Sequence, residues 1–168
     1  MLVFFFQTLV VEKLTMASNG KIEADLEVKS STNKIWDIIL DSATMFPKIF
    51  TEQYKSIEVL EGDGKSVGSI KLIKYQEGVP NVTFSKEKVE TVDETNKSLT
   101  YSVIEGELLN YYKNFKVNVI VSAKGDGSLV KLSCEFEKAS EEIPDPSNIK
   151  DFAVKSFQDL DAYILTKA

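Results

Sequence analysis

The sequence predicts one α+β domain, in which an antiparallel sheet is covered on one side by a long C-terminal helix. Between residues 54 and 137, short segments alternate apolar and polar side chains, as half-buried strands do, and turns rich in glycine, asparagine or aspartate separate them. Between residues 147 and 165, apolar side chains recur every three or four positions, which is the period of an amphipathic helix. No repeat or linker interrupts the pattern, so we expect one domain over residues 21–168.

A strand and two short helices are predicted ahead of the main run of strands. Apolar residues occupy every second position from 22 to 28, which is typical of a half-buried strand. Ser30 or Ser31 can cap a helix over residues 32–40, and a second helix over residues 43–46 should end at the proline that follows. Two short helices joined by a turn would form a V-shaped support for the sheet.

Six strands and a final helix make up the rest of the predicted domain. The helix is expected to start after Pro144-Asp145-Pro146, with Ser147 as its N-cap. Its apolar stripe would lie across the concave side of the twisted sheet, and its other face is charged. The predicted strands span residues 54–60, 67–75, 82–92, 99–105, 111–123 and 130–137.

The composition excludes several classes of function. The chain contains no histidine, which rules out Ser-His-Asp and Cys-His catalysis and any histidine metal site. It contains no arginine, the residue that bidentate phosphate and guanine recognition normally uses. The net charge of −6 also opposes binding to nucleic acid or to an anionic membrane. We therefore expect no nucleic-acid partner, no metal and no other cofactor.

The cellular location is predicted from one cysteine and from the N-terminus. Cys134 is the single cysteine, so no internal disulfide can form and nothing requires an oxidising compartment. The apolar run at residues 2–11 is too short to span a bilayer. We expect a cytoplasmic protein, with secretion through residues 1–17 as the minor alternative.

Residues 1–20 are treated as an N-terminal extension with three open interpretations. The segment can result from an upstream start codon, with Met16 as the usual first residue, in which case it is an artefact or disordered. It can be an additional strand or helix that packs on the domain. It can also be a secretory signal, since Thr15-Met16-Ala17 is passable as a cleavage site although a basic segment is missing before the apolar run.

Three short motifs, taken in order, resemble the plant major latex proteins of the Bet v I (pathogenesis-related class-ten) superfamily. The first is the glycine-rich segment from Glu61 to Ile70, although Lys65-Ser66 stands where the allergen branch commonly has glycines. The second is Tyr101-Ser102-Val103-Ile104-Glu105-Gly106 at the end of a strand. The third is the segment from Leu108 to Phe115, followed later by Phe136-Glu137-Lys138, which is similar to the major latex branch. The likeness covers residues 21–165 and implies a helix-grip fold that encloses a cavity.

The resemblance also implies a function. Members of the superfamily bind hydrophobic or amphipathic plant metabolites, so we expect a carrier, store or sensor for such a small molecule, linked to defence or stress responses. A few relatives are enzymes of alkaloid biosynthesis, and the alternative is a cofactor-free isomerase, lyase or condensing enzyme of specialised metabolism that uses the same cavity. A hormone-receptor role like that of the abscisic-acid receptors is disfavoured, because those typically use an arginine and a histidine.

Candidate ligand contacts are taken from positions expected to face inward. Tyr101 shares a strand face with Leu99 and Val103, and a tyrosine on an apolar face needs a partner for its hydroxyl, which a ligand pocket supplies. The same alternation puts Glu105 on that face near the strand end. Glu105 and Tyr101 are therefore also the candidate acid–base residues of an enzyme, although charged strand residues usually face solvent. The candidate ligand-binding set is Tyr101, Val103, Glu105, Phe115, Val117, Phe84, Phe152 and Phe157.

Gly62, Gly64 and Gly68 form a loop that the resemblance places beside the cavity. A phosphate-binding role is disfavoured, because a strand and not a helix follows the loop and no helix dipole would meet an anion. The glycines instead predict a tight loop with positive φ angles.

Overall fold

The computed structural model describes residues 19–167, so the interpretations of residues 1–18 concern a segment outside the described residues. The described chain forms seven strands, three helices and one 3₁₀ turn. The first part contains β1 (Asn19–Val28), α1 (Thr32–Leu40), α2 (Ser42–Ile49), β2 (Tyr54–Glu61) and β3 (Ile70–Tyr75). The second contains β4 (Phe84–Asp93), β5 (Ser98–Gly106), the 3₁₀ turn (Glu107–Asn110), β6 (Tyr112–Lys124), β7 (Gly127–Lys138) and α3 (Ser147–Thr166). The predicted α+β class and element order are confirmed.

All seven strands form one antiparallel sheet in the order β1-β7-β6-β5-β4-β3-β2. The chain returns to the start of the sheet because β1 pairs with β7, with Ile22 opposite Cys134 and Leu26 opposite Val130. Side chains alternate between an inner face, which α3 and the two short helices cover, and an outer face that meets solvent. The main hydrophobic core lies between the inner face and the helices.

The C-terminal helix is buried unequally along its length. Leu160 and Ile164 in its second half are almost completely buried in the main core. Phe152 and Phe157 in its first half keep part of their surface accessible. The contacts of α3 are mainly to β1, at one edge of the sheet, and it also touches α1. The helix is therefore packed firmly at its C-terminal end and less tightly at its N-terminal end.

The boundaries differ from the prediction where single residues override the pattern. Strand β3 begins at Ile70 and not at residue 67, because Gly68 has a φ of +90° and keeps the chain in a loop. Helix α2 continues past Pro47 to Ile49, with the Phe50 amide bonded to the Phe46 carbonyl. The first strand begins at Asn19, two residues before the predicted domain start.

The predicted N-cap side chains are not used as caps. Ser31 and Pro146 occupy the N-cap positions of α1 and α3, and neither makes a side-chain capping bond. Ser147 is the first residue of α3 and not its cap. The hydroxyl of Ser30 is taken by Asp161 in a contact between distant parts of the chain.

Asp161 attaches α3 to the turn that follows β1. Its carboxylate accepts hydrogen bonds from the amides of Lys29 and Ser30, at 3.1 and 2.9 Å, and from the Ser30 hydroxyl at 2.6 Å. Partial burial alone would raise the pKa of Asp161, but these hydrogen bonds outweigh it and lower the pKa. The ionised carboxylate therefore holds the C-terminal half of the helix against the first strand–helix junction.

Replacing Asp161 by Asn should lower the free energy of unfolding by about 2 kcal/mol, because charge-assisted hydrogen bonds to two amides and a hydroxyl are weakened. Because the folded pKa is lowered, the stabilisation is present above the unfolded pKa of an aspartate and is lost as pH falls below it. Urea unfolding at pH 7 measures the difference. The matched control is Asp159→Asn, which removes an exposed pair with Lys155 and should change stability by less than about 0.5 kcal/mol. Equal losses in the two variants would contradict this role of Asp161.

Candidate functional site

Five polar side chains converge on the inner face of β2 to β5. We call them the inner polar cluster, and they are Tyr54, Lys71, Tyr75, Glu87 and Tyr101. Lys71 and Glu87 are directly opposite each other on β3 and β4, and Tyr54 is opposite Tyr75 on β2 and β3. The rings of Tyr54 and Tyr75 are in contact, with centroids 5.8 Å apart. The cluster therefore occupies the part of the sheet farthest from the β1 edge where α3 is attached.

Three members of the cluster have polar atoms without a side-chain partner in the described part of the chain. The Glu87 carboxylate and the hydroxyls of Tyr54 and Tyr101 make no side-chain hydrogen bond to another residue in the range 19–167. Within that range, the one polar side-chain atom that is both sealed from solvent and without a partner is Gln53 Oε1. The oxygens of Glu87, Tyr54 and Tyr101 are not among such atoms. Burial is the largest cause of the raised pKa of all three groups, which indicates that they lie in the interior of the protein.

Burial controls the electrostatics of the cluster. It raises the pKa of the Glu87 carboxyl to about 7, although the Lys71 ammonium acts in the opposite direction. Burial also lowers the pKa of Lys71, which Glu87 partly offsets. The pKa of each of the three tyrosines is raised, first by burial and then by the Glu87 charge. Glu87 is thus the group of the cluster whose charge can change near neutral pH.

Lys71 is held away from Glu87 by a contact with the helices. Its ammonium donates a 3.0 Å hydrogen bond to the hydroxyl of Ser42, the first residue of α2. No ion pair within 4.0 Å joins Lys71 to Glu87 or to any other acid among residues 19–167. Tyr75 is also occupied, since its hydroxyl lies 3.0 Å from that of Ser85. The unpaired hydrogen-bonding capacity of the site is therefore concentrated at Glu87, Tyr54 and Tyr101.

Apolar side chains border the same inner face. Val103 lies opposite Glu87 across β4 and β5, and Val117 is opposite Tyr101 across β5 and β6. Phe157 packs against the main core while keeping part of its surface accessible. Phe115 is almost fully buried in a second cluster. Phe152 is half-buried and belongs to neither cluster of core residues in the described chain.

Two of the predicted ligand contacts point the other way. Glu105 is on the outer face, where its carboxylate pairs with Lys86 at 2.7 Å. The expectation that it shares the face of Tyr101 is wrong, because a bulge between Lys86 and Glu87 shifts the register and reverses the alternation beyond Val103. Phe84 is also on the outer face, opposite Lys74, and lines a surface hollow there.

The glycine-rich loop binds a carboxylate of its own. Gly62, Gly64 and Gly68 have φ angles of +76°, +83° and +90°, as the glycine pattern predicted. Asp63 accepts hydrogen bonds from the amides of Lys65 and Ser66, at 2.8 and 2.7 Å, and from the Ser66 hydroxyl at 2.7 Å. These bonds, led by the Ser66 amide, lower the pKa of Asp63. Its carboxylate thus occupies the donors that a phosphate would need.

Sequence reasoning missed Lys71 and Glu87, the two charged members of the cluster. Glu87 has the same strand parity as the buried Val89, so alternation alone would have placed it inside. Lys71 gave a weaker signal, because both faces of β3 carry large apolar residues and a lysine there is ordinarily taken as solvent-exposed. For Tyr101 and Val103, the predicted inward orientation agrees with the observed one.

The chain belongs to the pathogenesis-related protein Bet v 1 family, whose model matches residues 17–167. Its relatives include MLP-like protein 423 of Arabidopsis thaliana, 51% identical, with the alignment covering 89% of this chain and 97% of the relative. Ginseng major latex-like protein 151 from Panax ginseng has a similar structure, with a TM-score of 0.80, 27% identity and coverage of 87% and 97%. Norcoclaurine synthase from Thalictrum flavum shares the fold at 22% identity and a TM-score of 0.73, over 89% and 97% of the two chains.

Replacing Glu87 by Gln should stabilise the protein without ligand at pH 8. A raised folded pKa means that the wild-type contribution is most favourable below the unfolded pKa of a glutamate and is lost as pH rises through about 7. The gain in the free energy of unfolding should therefore be at most about 3 kcal/mol at pH 8 and should disappear towards pH 4. Urea unfolding across this pH range measures it.

Glu105→Gln is the matched control, because it removes an exposed carboxyl from the outer face. The difference in the free energy of unfolding between Glu105→Gln and the wild type should not grow between pH 5 and pH 8. If the gain in the free energy of unfolding of Glu87→Gln also does not change with pH, the Glu87 carboxyl is not desolvated in the folded protein.

Proposed function

We propose that the protein binds one small amphipathic molecule between the inner face of the sheet and the first half of α3. The observation that carries the proposal is the group of interior oxygens on Glu87, Tyr54 and Tyr101, which make no side-chain hydrogen bond to another residue in the range 19–167. Leaving such groups unsatisfied costs free energy, and a ligand with hydrogen-bonding atoms at one end would satisfy them. Binding pockets typically combine apolar walls with a few convergent polar groups of this kind.

The apolar part of the ligand would contact the remaining walls. Val103 and Val117 border the cluster from β5 and β6, and Phe157 faces the sheet from α3. Phe115 and Phe152 remain proposed ligand contacts. They lie at the end of the site that is nearer to the start of α3. Burial of apolar ligand surface contributes roughly 25 cal/mol per Å² before the costs of ordering the ligand are subtracted. Affinity would come mainly from this burial, and orientation from Glu87 and the tyrosines.

The biological role proposed for this binding is that of a carrier, store or sensor of a plant metabolite, linked to defence or stress responses. The similarity of this chain to major latex-like proteins supports the proposal, because the role is one proposed for that class of protein. No helix between residues 19 and 167 combines the length and the apolarity needed to cross a bilayer.

Catalysis is the second candidate function, and one observation favours it. A carboxyl with a pKa of about 7 is suited to gain and lose a proton near neutral pH, as a general acid–base must. Tyr101 is diagonal to Glu87 on the same face, where its hydroxyl can donate a hydrogen bond to a reacting oxygen. The reaction classes that need only such groups are isomerisation, elimination and condensation. Glu87 takes the role that the sequence had assigned to Glu105.

Native mass spectrometry of the ligand-free protein incubated with a metabolite extract of the source tissue tests the binding proposal. The wild type should retain a single small molecule at one-to-one stoichiometry. Glu87→Gln or Tyr101→Phe should weaken its binding by roughly ten- to a hundredfold, because a hydrogen bond to a buried group is lost. Glu105→Gln should leave the affinity unchanged. Retention that is insensitive to the inner variants but reduced by Glu105→Gln would place the ligand on the outer face and overturn the proposal.

The same incubation separates carrier from enzyme. A compound recovered unchanged supports binding alone. A compound that is consumed while a new one accumulates, with turnover lost in Glu87→Gln and kept in Glu105→Gln, would replace the carrier role with catalysis in the same space.

A further inference from the structure

The sheet contains a seam between β5 and β6. These strands pair from Ser98 opposite Ile120 to Ser102 opposite Lys116, and the ladder then stops. Beyond that point β5 stays paired with β4 as far as Gly106, and β6 stays paired with β7 as far as Tyr112. We define the seam as the gap between residues 103–106 of β5 and residues 112–115 of β6. Strand β5 stays paired with β4 and strand β6 stays paired with β7. β5 and β6 therefore separate towards the 3₁₀ turn that connects them.

A bulge lies beside the seam in each of the diverging pairs. The β4–β5 ladder shifts register between Lys86 and Glu87, which leaves Ile104 as the extra residue of β5. The β6–β7 ladder shifts between Tyr112 and Asn114, which leaves Lys113 as the extra residue of β6. Bulges bend a strand and increase its twist, so these two turn β5 and β6 away from each other. The register shifts in the β4–β5 and β6–β7 ladders therefore determine where the seam lies.

A surface hollow of about 710 Å³ opens over the seam on the outer face. Its rim is formed by outward-facing residues, including Ser102, Ile104 and Asn114. Its floor includes Val103, Phe115 and Phe136, whose side chains belong to the inner side of the sheet. The hollow therefore lies directly over the strand residues whose side chains face inward, at the place where the pairing of β5 and β6 ends.

The floor of the hollow is next to the inner polar cluster. Val103 lines the hollow and is also the cross-strand neighbour of Glu87. Val103, Phe115 and Phe136 are only 8%, 4% and 4% exposed, so they close the seam in this structure. They form the small second cluster with Tyr112, apart from the main core. Displacing them would disturb this second cluster and its contact with Ile149, but not the main core that buries the second half of α3.

We infer that the ligand of the inner space passes through the sheet at this seam, with Val103 and Phe115 as the side chains that move to admit it. The inference rests on the proposed function, since it assigns a route to the same site. Separation of β5 and β6 costs little there, because no ladder hydrogen bond has to break between them beyond Ser102. The hollow is lined by apolar residues such as Ile104 and charged residues such as Lys116, which suits an amphipathic molecule in transit.

Obstruction of the seam tests the route. In a Cys134→Ser background, Ile104→Cys places one thiol on the exposed rim, and a bulky polyethylene glycol maleimide then covers the hollow. Anilinonaphthalene sulfonate is the fluorescent probe, and the inner site is defined as the saturable component whose affinity changes in Glu87→Gln. The label should slow association and dissociation of the probe by the same factor, at least about tenfold, while Kd stays unchanged.

Two labelled controls locate the effect. Lys131→Cys carries the same label on the exposed outer face of β7, away from the hollow, and should not change the rates. Glu77→Cys carries it on the loop between β3 and β4 and tests a route at the end of the sheet. Slow exchange with the label at 77 and normal exchange with the label at 104 would overturn the seam route while leaving the proposed function intact.

A second variant tests the same inference by opening the seam. Val103→Ala shortens one of the side chains in the floor and should speed both association and dissociation of the probe, by about threefold or more. Val121→Ala, a buried truncation on β6 away from the hollow, controls for general loosening and should not speed exchange. Equal rates of probe association and dissociation in Val103→Ala and the wild type would contradict the inference that Val103 moves to admit the ligand. If the unmodified protein has no saturable site that responds to Glu87→Gln, the proposed function fails and the route fails with it.

Discussion

The attachment of α3 at one end is the constraint on which the rest of the structure depends. Asp161 fixes the second half of the helix to the turn after β1, and Leu160 and Ile164 bury it in the main core. The first half is less buried, since Phe152 and Phe157 remain partly accessible, and its start is held by the Lys138–Asp145 ion pair and by the Tyr112 hydroxyl. A helix held in this way packs against the sheet most tightly along its second half. The site proposed above lies on the side of the first half, where the packing is looser.

The charged residues of the inner polar cluster are kept apart by a contact with α2. In most interiors a buried lysine and a buried carboxylate placed on opposite strands would form an ion pair. Here Ser42 takes the Lys71 ammonium, so Glu87 is left without its natural partner. The arrangement costs stability, because the Glu87 carboxyl is desolvated and the Lys71 charge offsets only part of that cost. A molecule that gave Glu87 a hydrogen bond would remove this cost, which is how the electrostatics of the cluster bear on the proposed function.

The sequence was sufficient for the fold, because a fold of this kind is encoded by repeated signals. Alternation along seven strands and the apolar stripe of α3 each involve many residues, so errors at single positions did not alter the element order. Boundaries were less accurate where one residue decides, as Gly68 does at the start of β3. Ser30, expected as a possible cap, is instead committed to a residue 131 positions away, which no local pattern reveals.

The site was only partly predictable, for reasons that concern register. Strand parity placed Tyr101 and Val103 on the inner face, but one bulge reversed it for Glu105. Bulges depend on how two distant strands fit, so a single strand does not display them. Lys71 was hidden by a different effect, since its burial is tolerated only through the hydroxyl of Ser42 on another element. The residues that matter most for chemistry were thus those fixed by contacts between elements.

The self-bound carboxylate of the glycine-rich loop has a consequence for how such loops change over time. Asp63 satisfies two amides and a hydroxyl of its own loop, and Ser69 adds a further, longer contact at 3.2 Å. The backbone is therefore already shaped as an anion receptor, and the occupant is part of the chain. Loss of this one carboxylate would leave the same donors directed at an empty centre. A loop that excludes anions and a loop that recruits them can accordingly be one substitution apart, without any change in fold.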